Sequence, residues 1–479
     1  MTSAPDSDSP ALRKLPRVLG LFDSTMIVVG SIIGSGVFLK ASTIAKVLPS
    51  TAAILAVWIG IGIVTLCGSL ALGELAAMLP EAGGPYIYLR ESYGKLPAFL
   101  WGWTEFWIVR TASLGALSAA TVLYLNVMLR NTAGYSLPHA GQAVVAMLLV
   151  IFLSWINIMS TRWSARVQNL TGVIKVAFLA ALIVLPFCFR QIDLSNLQPI
   201  WPSSSTTTVS LWRGIGLAVL AVMWPYDGWI NIAPVAEEIR DPQRNVPKAL
   251  ALGMGLVILI YVAANSVYHL VLPFDVVKNS EGVAADVWKK LFEHKGVGIA
   301  AAGVMCSTFG AVNSNMLAGP RIYFAMARDR LLPEAVSRIH SRYETPHVAV
   351  VMQGAWTLVL IAVAYAWKED AGDAFDALTD FAIFGGTLFY AMSVGAVYVL
   401  RRTRPNLHRP YRTWGYPFTP ALYLLTFFAV AAVSFAEKWQ IATAGTSLIF
   451  AGAIYYAVWN WFTARRVPTP IISNSDSQP

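Results

Sequence analysis

The chain has 479 residues, of which 56% are hydrophobic and 13% are charged, and its mean hydropathy is +0.57. Soluble domains carry about 25% charged residues, so this composition excludes an ordinary soluble protein and indicates an integral membrane protein. The formal net charge of +9 comes from basic residues in short loops between apolar segments, which argues against a role in nucleic-acid binding.

Twelve apolar segments are each near the roughly 20 residues that cross the hydrocarbon core of a bilayer. The sequence therefore predicts an all-helical membrane protein with twelve transmembrane spans. We place the spans at 18–45, 51–79, 97–126, 139–160, 165–189, 210–237, 247–271, 297–327, 347–367, 375–400, 417–436 and 440–463.

The polar segment 1–17 lacks the cleavage pattern of a signal peptide, so we expect it to be a cytoplasmic tail, like the segment 464–479. Lys and Arg collect in cytoplasmic loops. With the N-terminus inside, the inner segments hold twice as many of them as the outer segments. We expect a multi-pass protein of the cell (plasma) membrane with both termini in the cytoplasm.

Span one is interrupted by the glycine-rich run 29–38, which contains Gly34, Ser35 and Gly36. Span six is interrupted in the same way by the run 224–229. Backbone leaves the helix at membrane depth only where protein, water or ligand satisfies its polar groups. Breaks in the first helix of two five-helix sets indicate an inverted repeat, with halves 18–189 and 210–400 and two further helices at 417–463.

The breaks have groups suited to an α-amino acid. The half-helix that begins near Val37 aims its N–H groups and positive dipole end at the gap, which favours a carboxylate. The carbonyls near Ile33 and Tyr226 suit an ammonium group. The competing interpretation is that Gly34 and Gly36 form a close helix-packing face, but Pro225, Asp227 and Gly228 in span six favour a paired break.

Several motifs occur together in a fixed order: Gly34–Phe38, Glu81–Tyr86, Tyr226–Trp229, Glu237–Pro242 followed by Asn245–Ala249, and Ser307–Asn313 with Arg321 and Ala325–Arg328 beyond. In these motifs the chain resembles the amino acid-polyamine-organocation superfamily, close to its bacterial L-type amino acid transporters. The resemblance covers roughly residues 16–461.

The resemblance implies ten core helices in two inverted repeats, two peripheral helices and transport by alternating access. It also implies a substrate site between spans one and six, in which the N–H groups of Ser35, Gly36 and Val37 bind the carboxylate. The carbonyls of Ile33 and Tyr226 would take the amine. The aromatic gate would be Trp224 or Tyr226, beside Gly228 and Trp229.

The chain departs from its eukaryotic relatives at two places. Ile230 and Ala233 stand where those relatives usually have Asn. The loop 126–138 has no cysteine for attachment to a glycoprotein heavy chain, so we expect no covalent partner subunit and either a monomer or a weak homo-oligomer.

Lys175 lies nine residues beyond Arg166, about 13 Å into the membrane at 1.5 Å per residue. A charge at that depth is expensive and by default functional. The resemblance implies a fixed ammonium that takes the place of a sodium ion and contacts the first break. Two alternatives stay open: Lys175 loses its proton during the cycle, or it reaches the cytoplasmic water.

Other polar residues inside the spans leave several interpretations open. Asp227 pairs with a cationic substrate side chain, with the substrate amine, or with a structural donor. Asn313 lines the pocket or bonds another helix. Glu105 and Arg110 are five residues apart, off the ideal helix spacing of three or four, so we expect each to pair elsewhere in the bundle.

Three acidic residues, Glu74, Glu237 and Glu238, lie at the predicted cytoplasmic helix ends. They form either an inner gate with Arg328 or Arg240, or a solvated face.

The cysteines and histidines give no sign of other chemistry. Cys67, Cys188 and Cys306 fall within or at the ends of apolar spans, so no disulfide framework is expected. The six histidines are scattered and no hydrolase motif is present. We predict no enzyme activity, no cofactor and no metal site.

The sequence as a whole predicts a sodium-independent secondary transporter of L-amino acids, with exchange favoured over proton symport. A cationic amino acid or polyamine porter and a non-transporting amino acid sensor are the alternatives.

Overall fold

The computed structural model describes residues 15–202, 207–367, 371–437 and 439–464. Within these ranges the elements are helices, and one isolated parallel bridge joins Leu19 to Ile239. The expected tails lie almost entirely outside the described residues, which begin at Leu15 and end at Ala464.

The described residues of the first half of the chain form eight α-helices and a π-helical turn. They are α1 Leu21–Ile32, α2 Gly36–Val47, α3 Thr51–Met78, α4 Pro85–Tyr93, α5 Lys95–Thr104, the π-helix Glu105–Val109, α6 Arg110–Ala133, α7 His139–Met159 and α8 Thr161–Cys188.

The second half is longer, and its described residues include three 3₁₀ segments. Its elements are the 3₁₀ turn Leu194–Leu197, α9 Thr208–Met223, the 3₁₀ helix Trp229–Glu238, α10 Pro242–Val271, α11 Phe274–Asn279, α12 Val283–Phe292, α13 His294–Arg328, the 3₁₀ turn Glu334–Ser337, α14 His347–Trp367, α15 Ala371–Thr403, α16 Phe418–Glu437 and α17 Trp439–Ala464.

Eight helical segments of the described chain are long and apolar enough to cross a membrane. They coincide with the predicted spans one to five and seven to nine. Helices α9, α15, α16 and α17 occupy the other four predicted spans. The fold is therefore an all-helical multi-pass membrane protein, while the count of twelve spans stays a prediction.

Span one is divided into two helices. α1 ends at Ile32, Ile33 has extended backbone with φ −74° and ψ 90°, and α2 begins at Gly36. The first N–H groups of α2 consequently have no partner one turn back along the chain.

Span six is also divided, and its second half differs from the α-helix that the predicted span implies. α9 ends at Met223, residues 224–228 form a turn, and the chain resumes as the 3₁₀ helix Trp229–Glu238. Pro234 lies inside this helix, and a proline lacks the N–H that an α-helix interior requires.

The packing places both breaks inside the bundle. α13 packs along α6, α10 packs along α3, and α1 contacts α8, α10 and α13. The turn before α4 supports the end of span six: Gly84 has φ +49°, and a Cβ there would lie 2.6 Å from the carbonyl carbon of Ala233. Glycine is therefore required where this turn meets the 3₁₀ helix.

Candidate functional site

The two breaks touch each other through glycine residues. A Cβ on Gly36 would lie 2.7 Å from the Cα of Pro225, and a Cβ on Gly228 would lie 2.8 Å from the carbonyl carbon of Ser31. Gly228 also has φ +110°, a conformation that L side chains rarely adopt. Only glycine allows the two backbones this approach.

The start of α2 presents free backbone donors at this contact. Among the described residues, no acceptor bonds the N–H groups of Ser35, Gly36 or Val37. These three donors belong to the positive end of the α2 dipole. The arrangement suits a carboxylate or another small anion.

A cavity of about 30 Å³ lies between the breaks. On this measure a water molecule needs about 10–15 Å³, so the space holds two or three waters. The lining includes six residues that the sequence analysis placed in the site: Gly34, Ser35, Gly36, Trp224, Asp227 and Gly228.

Five further residues line the cavity and are not predicted from the sequence: Ser31, Ile32, Ser113, Leu117 and Asn315. Ser31 and Ile32 precede the first break directly, and their proximity to Gly34 was an available signal. Ser113 and Leu117 come from α6 and Asn315 from α13, and nothing in the local sequence pattern marks them.

The remaining predicted site residues lie next to the cavity and not in its lining. The Tyr226 hydroxyl donates to the Trp58 carbonyl at 3.0 Å, and Trp229 packs on Tyr390 and Tyr423. Val37 is buried, and its carbonyl accepts from the Tyr268 hydroxyl at 3.3 Å.

Lys175 is fully buried and reaches the first break. Its Nζ donates to the carbonyls of Ile33 at 2.7 Å, Gly30 at 3.0 Å and Ser307 at 3.0 Å. The Ser307 hydroxyl lies 2.9 Å from the Gly34 carbonyl and 3.1 Å from the Ile33 carbonyl, and it can donate to one of them at a time. The ammonium therefore occupies a carbonyl cage, and the Ile33 carbonyl already accepts a hydrogen bond from it.

Tyr261 ties the two breaks together and was not singled out from the sequence. Its hydroxyl lies 3.0 Å from the carbonyls of both Ile32 and Pro225. These carbonyls end α1 and begin the turn of span six. The hydroxyl can donate to one of them at a time.

Asp227 lines the cavity with an incompletely bonded carboxylate. Its Oδ1 is buried and has no hydrogen-bond partner among the described residues. Tyr390 and Arg110 lie close enough to interact with the carboxylate. Since buried carboxylate oxygens are normally paired, the free Oδ1 is available to a cationic group in the cavity.

The expectation that Glu105 and Arg110 pair elsewhere in the bundle is wrong, because the two side chains form an ion pair with each other. Arg110 Nε and Nη2 lie 2.8 Å and 2.7 Å from Glu105 Oε2. The residues between them form the π-helix, in which the Arg110 N–H bonds the Glu105 carbonyl. An i→i+5 helix brings residues five apart onto one face.

Arg110 also links this ion pair to the cavity. Its Nη1 donates to Asn231 Oδ1 at 2.5 Å and to Asn315 Oδ1 at 2.6 Å. Asn315 lines the cavity. The buried charge of Arg110 therefore orients an amide at the site.

Asn313 bonds neighbouring helices and lies outside the cavity lining. It is fully buried, and its Nδ2 donates to the Ser164 carbonyl at 3.0 Å and to Gln168 Oε1 at 3.2 Å. Its position agrees with the interhelical alternative.

Acidic residues close one end of the bundle. Glu238 pairs with Arg321 at 2.8 Å, both fully buried, and Glu237 pairs with Arg328 at 3.1 Å. Glu237 also accepts the Leu15 N–H at 2.7 Å. Arg328 was expected here, whereas the partner of Glu238 is Arg321 and not Arg240. These buried pairs exclude the solvated-face alternative for Glu238.

Comparison with known proteins identifies the family of this chain. Residues 19–459 match the family described as amino acid permease. A serine/threonine exchanger of Bacillus subtilis is 32% identical over 411 residues, or 85% of this chain and 89% of that protein.

Two mammalian relatives are similar over comparable lengths. The b(0,+)-type amino acid transporter 1 of Mus musculus is 27% identical, covering 95% of this chain and 91% of that protein. The human cystine/glutamate transporter is 28% identical, covering 88% and 81%. With its helical fold, its paired breaks and these matches, the chain belongs to the amino acid permease family of membrane transporters.

Proposed function

We propose that this protein is a sodium-independent secondary transporter that exchanges small L-amino acids by alternating access. The observation that carries the proposal is the set of free N–H groups at Ser35, Gly36 and Val37, beside a cavity bounded by both breaks. The Bacillus subtilis relative is named an exchanger, which supports exchange over symport.

The α2 N-terminus would bind the substrate carboxylate, gaining about 0.3–1 kcal/mol from the helix dipole in addition to direct hydrogen bonds. The Ile33 carbonyl already accepts a hydrogen bond from the Lys175 ammonium at 2.7 Å, so it contributes less to the amine than the resemblance implies. Asp227, with its free Oδ1, is the better partner for the ammonium group.

The size of the cavity supports small substrates. At about 30 Å³ it must widen to accept a complete amino acid. Leu117 and Trp224 line it, and widening it for alanine or serine displaces less of this wall than phenylalanine or tryptophan would. We propose alanine, serine and threonine as preferred substrates.

Lys175 supports sodium independence. A sodium ion is held by oxygen ligands, and here the ammonium already bonds three carbonyls at the first break. The paired breaks in spans one and six support two inverted five-helix repeats within twelve spans. The bias of Lys and Arg supports both termini in the cytoplasm.

The test is uptake of radiolabelled alanine into proteoliposomes that contain the purified protein, with choline in place of sodium. The vesicles are preloaded with unlabelled alanine or left empty, with and without an inward proton gradient. We expect uptake only into preloaded vesicles, independent of the gradient, and competition by serine and threonine but not by phenylalanine. Gradient-driven uptake into empty vesicles would establish proton symport instead, and binding without flux would establish a sensor.

Variants in the same assay test individual residues. Lys175→Ala should abolish uptake with the protein still in the membrane, while Ile174→Ala, a partly exposed neighbour on the same helix, should transport normally. Near-normal uptake by Lys175→Ala would remove Lys175 from the mechanism. If lysine or arginine inhibits alanine uptake by the wild-type protein, and Asp227→Asn still takes up alanine but is no longer inhibited, the cationic-substrate alternative holds.

A further inference from the structure

A second, larger cavity lies away from the two breaks, at the shared end of α3, α10 and the loop 404–417. Its volume is about 310 Å³. Leu70, Pro247 and Ala251 form its apolar part, and Tyr411 and Trp414 of the loop form the opposite wall. Gln243, Arg244 and Lys248 of α10 and Pro410 of the loop complete the lining.

The wall formed by the loop is held by a buried carboxylate. Glu74 of α3 is 1% exposed, and its Oε2 accepts both the N–H and the hydroxyl of Thr413 at 2.7 Å. Arg401 of α15 pairs with the same carboxylate at 2.6 Å. Thr413 lies between Tyr411 and Trp414, so this network fixes both aromatic residues and the cavity is preformed.

The charge lining the cavity is positive. Arg244 and Lys248 are one helical turn apart, both are exposed, and among the described residues no carboxylate pairs with either. Burial raises the pKa of Tyr411 to about 12, so its hydroxyl adds no negative charge at neutral pH. An adjoining cavity brings Arg17 and Asp241, whose opposite charges offset each other.

The surroundings of the cavity are those of a membrane interface. Trp414 is 70% exposed and Phe418, at the start of α16, is 78% exposed. Tryptophan concentrates at the level of the lipid headgroups, and Phe418 adds an exposed apolar side chain. Leu252, next to Ala251 on α10, is 57% exposed and faces outward from the bundle.

We infer that this cavity binds the headgroup of an anionic phospholipid. Arg244 and Lys248 would contact the phosphate, and the acyl chains would lie along the apolar surface near Leu252 and Phe418. Basic pockets between transmembrane helices on the cytoplasmic side commonly bind such headgroups. The cytoplasmic assignment rests on the proposed orientation, whereas the binding itself does not depend on it.

The test is native mass spectrometry of the purified full-length protein, titrated with phosphatidylglycerol or phosphatidylcholine. The double variant Arg244→Gln/Lys248→Gln should weaken the tightest phosphatidylglycerol binding roughly 30-fold, from the loss of two basic contacts near the headgroup. Ala251→Phe, which keeps both charges but fills the cavity, should weaken it as well. The matched control is Arg162→Gln/Arg166→Gln, which removes two exposed charges with the same spacing from α8, and it should bind like wild type.

Three outcomes would overturn the inference. The first is equal phosphatidylglycerol affinity for wild type and the double variant, and the second is equal weakening by the α8 control. The third is displacement of the bound lipid by millimolar inorganic phosphate, which would indicate a site for soluble anions. Lipid binding is read without any transport measurement, so failure of this inference is distinguishable from failure of the proposed function.

Discussion

At the scale of single residues, the absence of a side chain shapes the site. Gly36 and Gly228 let the backbones of two broken spans meet. Lys175 donates hydrogen bonds to carbonyls that the break at Ile33 would otherwise leave unpaired. Each effect is local and strong, because an unpaired backbone group in a membrane interior costs several kcal/mol. Substitutions here should affect transport more than insertion into the membrane.

Replacing Gly36 by Ala should reduce alanine uptake at least tenfold. The new Cβ would lie 2.7 Å from the Cα of Pro225, and backbone cannot yield as a flexible side chain does, so the breaks would separate. The measurement is exchange in proteoliposomes at equal protein content. Gly60→Ala is the matched control, since a Cβ at that helical glycine meets nothing within 4 Å. Wild-type exchange by Gly36→Ala would show that the close contact is not needed.

At the scale of elements, the π-helix Glu105–Val109 decides which charges meet. An α-helix would separate Glu105 and Arg110 around the helix axis, whereas the π-helical turn aligns them. Arg110 then extends to Asn231 and Asn315, so one irregular turn connects a buried ion pair to the cavity wall. π-bulges occur often at functional sites for this kind of reason.

Substitutions of Glu105 and Arg110 should have coupled effects on the free energy of unfolding. Glu105→Gln or Arg110→Met alone leaves one buried charge without its partner and should destabilise the fold by about 3–5 kcal/mol. The double variant should be closer to wild type than the sum of the single variants predicts. Thermal unfolding of the detergent-solubilised protein, followed by size-exclusion chromatography, measures the difference. Additive losses would mean that the two charges are not energetically linked.

At the scale of the whole molecule, ion pairs connect segments that are far apart in sequence at one end of the helical bundle. Glu238 of span six reaches Arg321 of α13, and Glu74 of α3 reaches Arg401 of α15 and the loop before α16. The N-terminal segment joins them through the bridge of Leu19 to Ile239. This closed end is the one that the charge bias assigns to the cytoplasm.

Labelling of single cysteines tests that orientation. In a background with Cys67, Cys188 and Cys306 replaced by Ser, we expect Ser195→Cys to react with a membrane-impermeant maleimide in intact cells. Ser341→Cys should react only after permeabilisation. Both serines are exposed, so accessibility within the protein is matched. The reverse pattern would place the closed end outside the cell.

The sequence by itself determined the membrane class and the positions of the breaks, and it predicts the depth of Lys175. Hydropathy, glycine content and the number of residues between two basic side chains are local properties, so they can be read without knowing what packs where. The same holds for Ser35, Gly36 and Asp227, which lie within the breaks.

Only the tertiary structure decided which residues from distant segments line the cavity and which side chains pair. Ser113, Leu117 and Asn315 enter the cavity because α6 and α13 pack against the breaks, and the five-residue spacing of Glu105 and Arg110 becomes a contact only through a π-helical turn. Thr413 is held by Glu74, 339 residues earlier in the chain. Contacts between segments so far apart depend on how the helices pack, and no local periodicity specifies them.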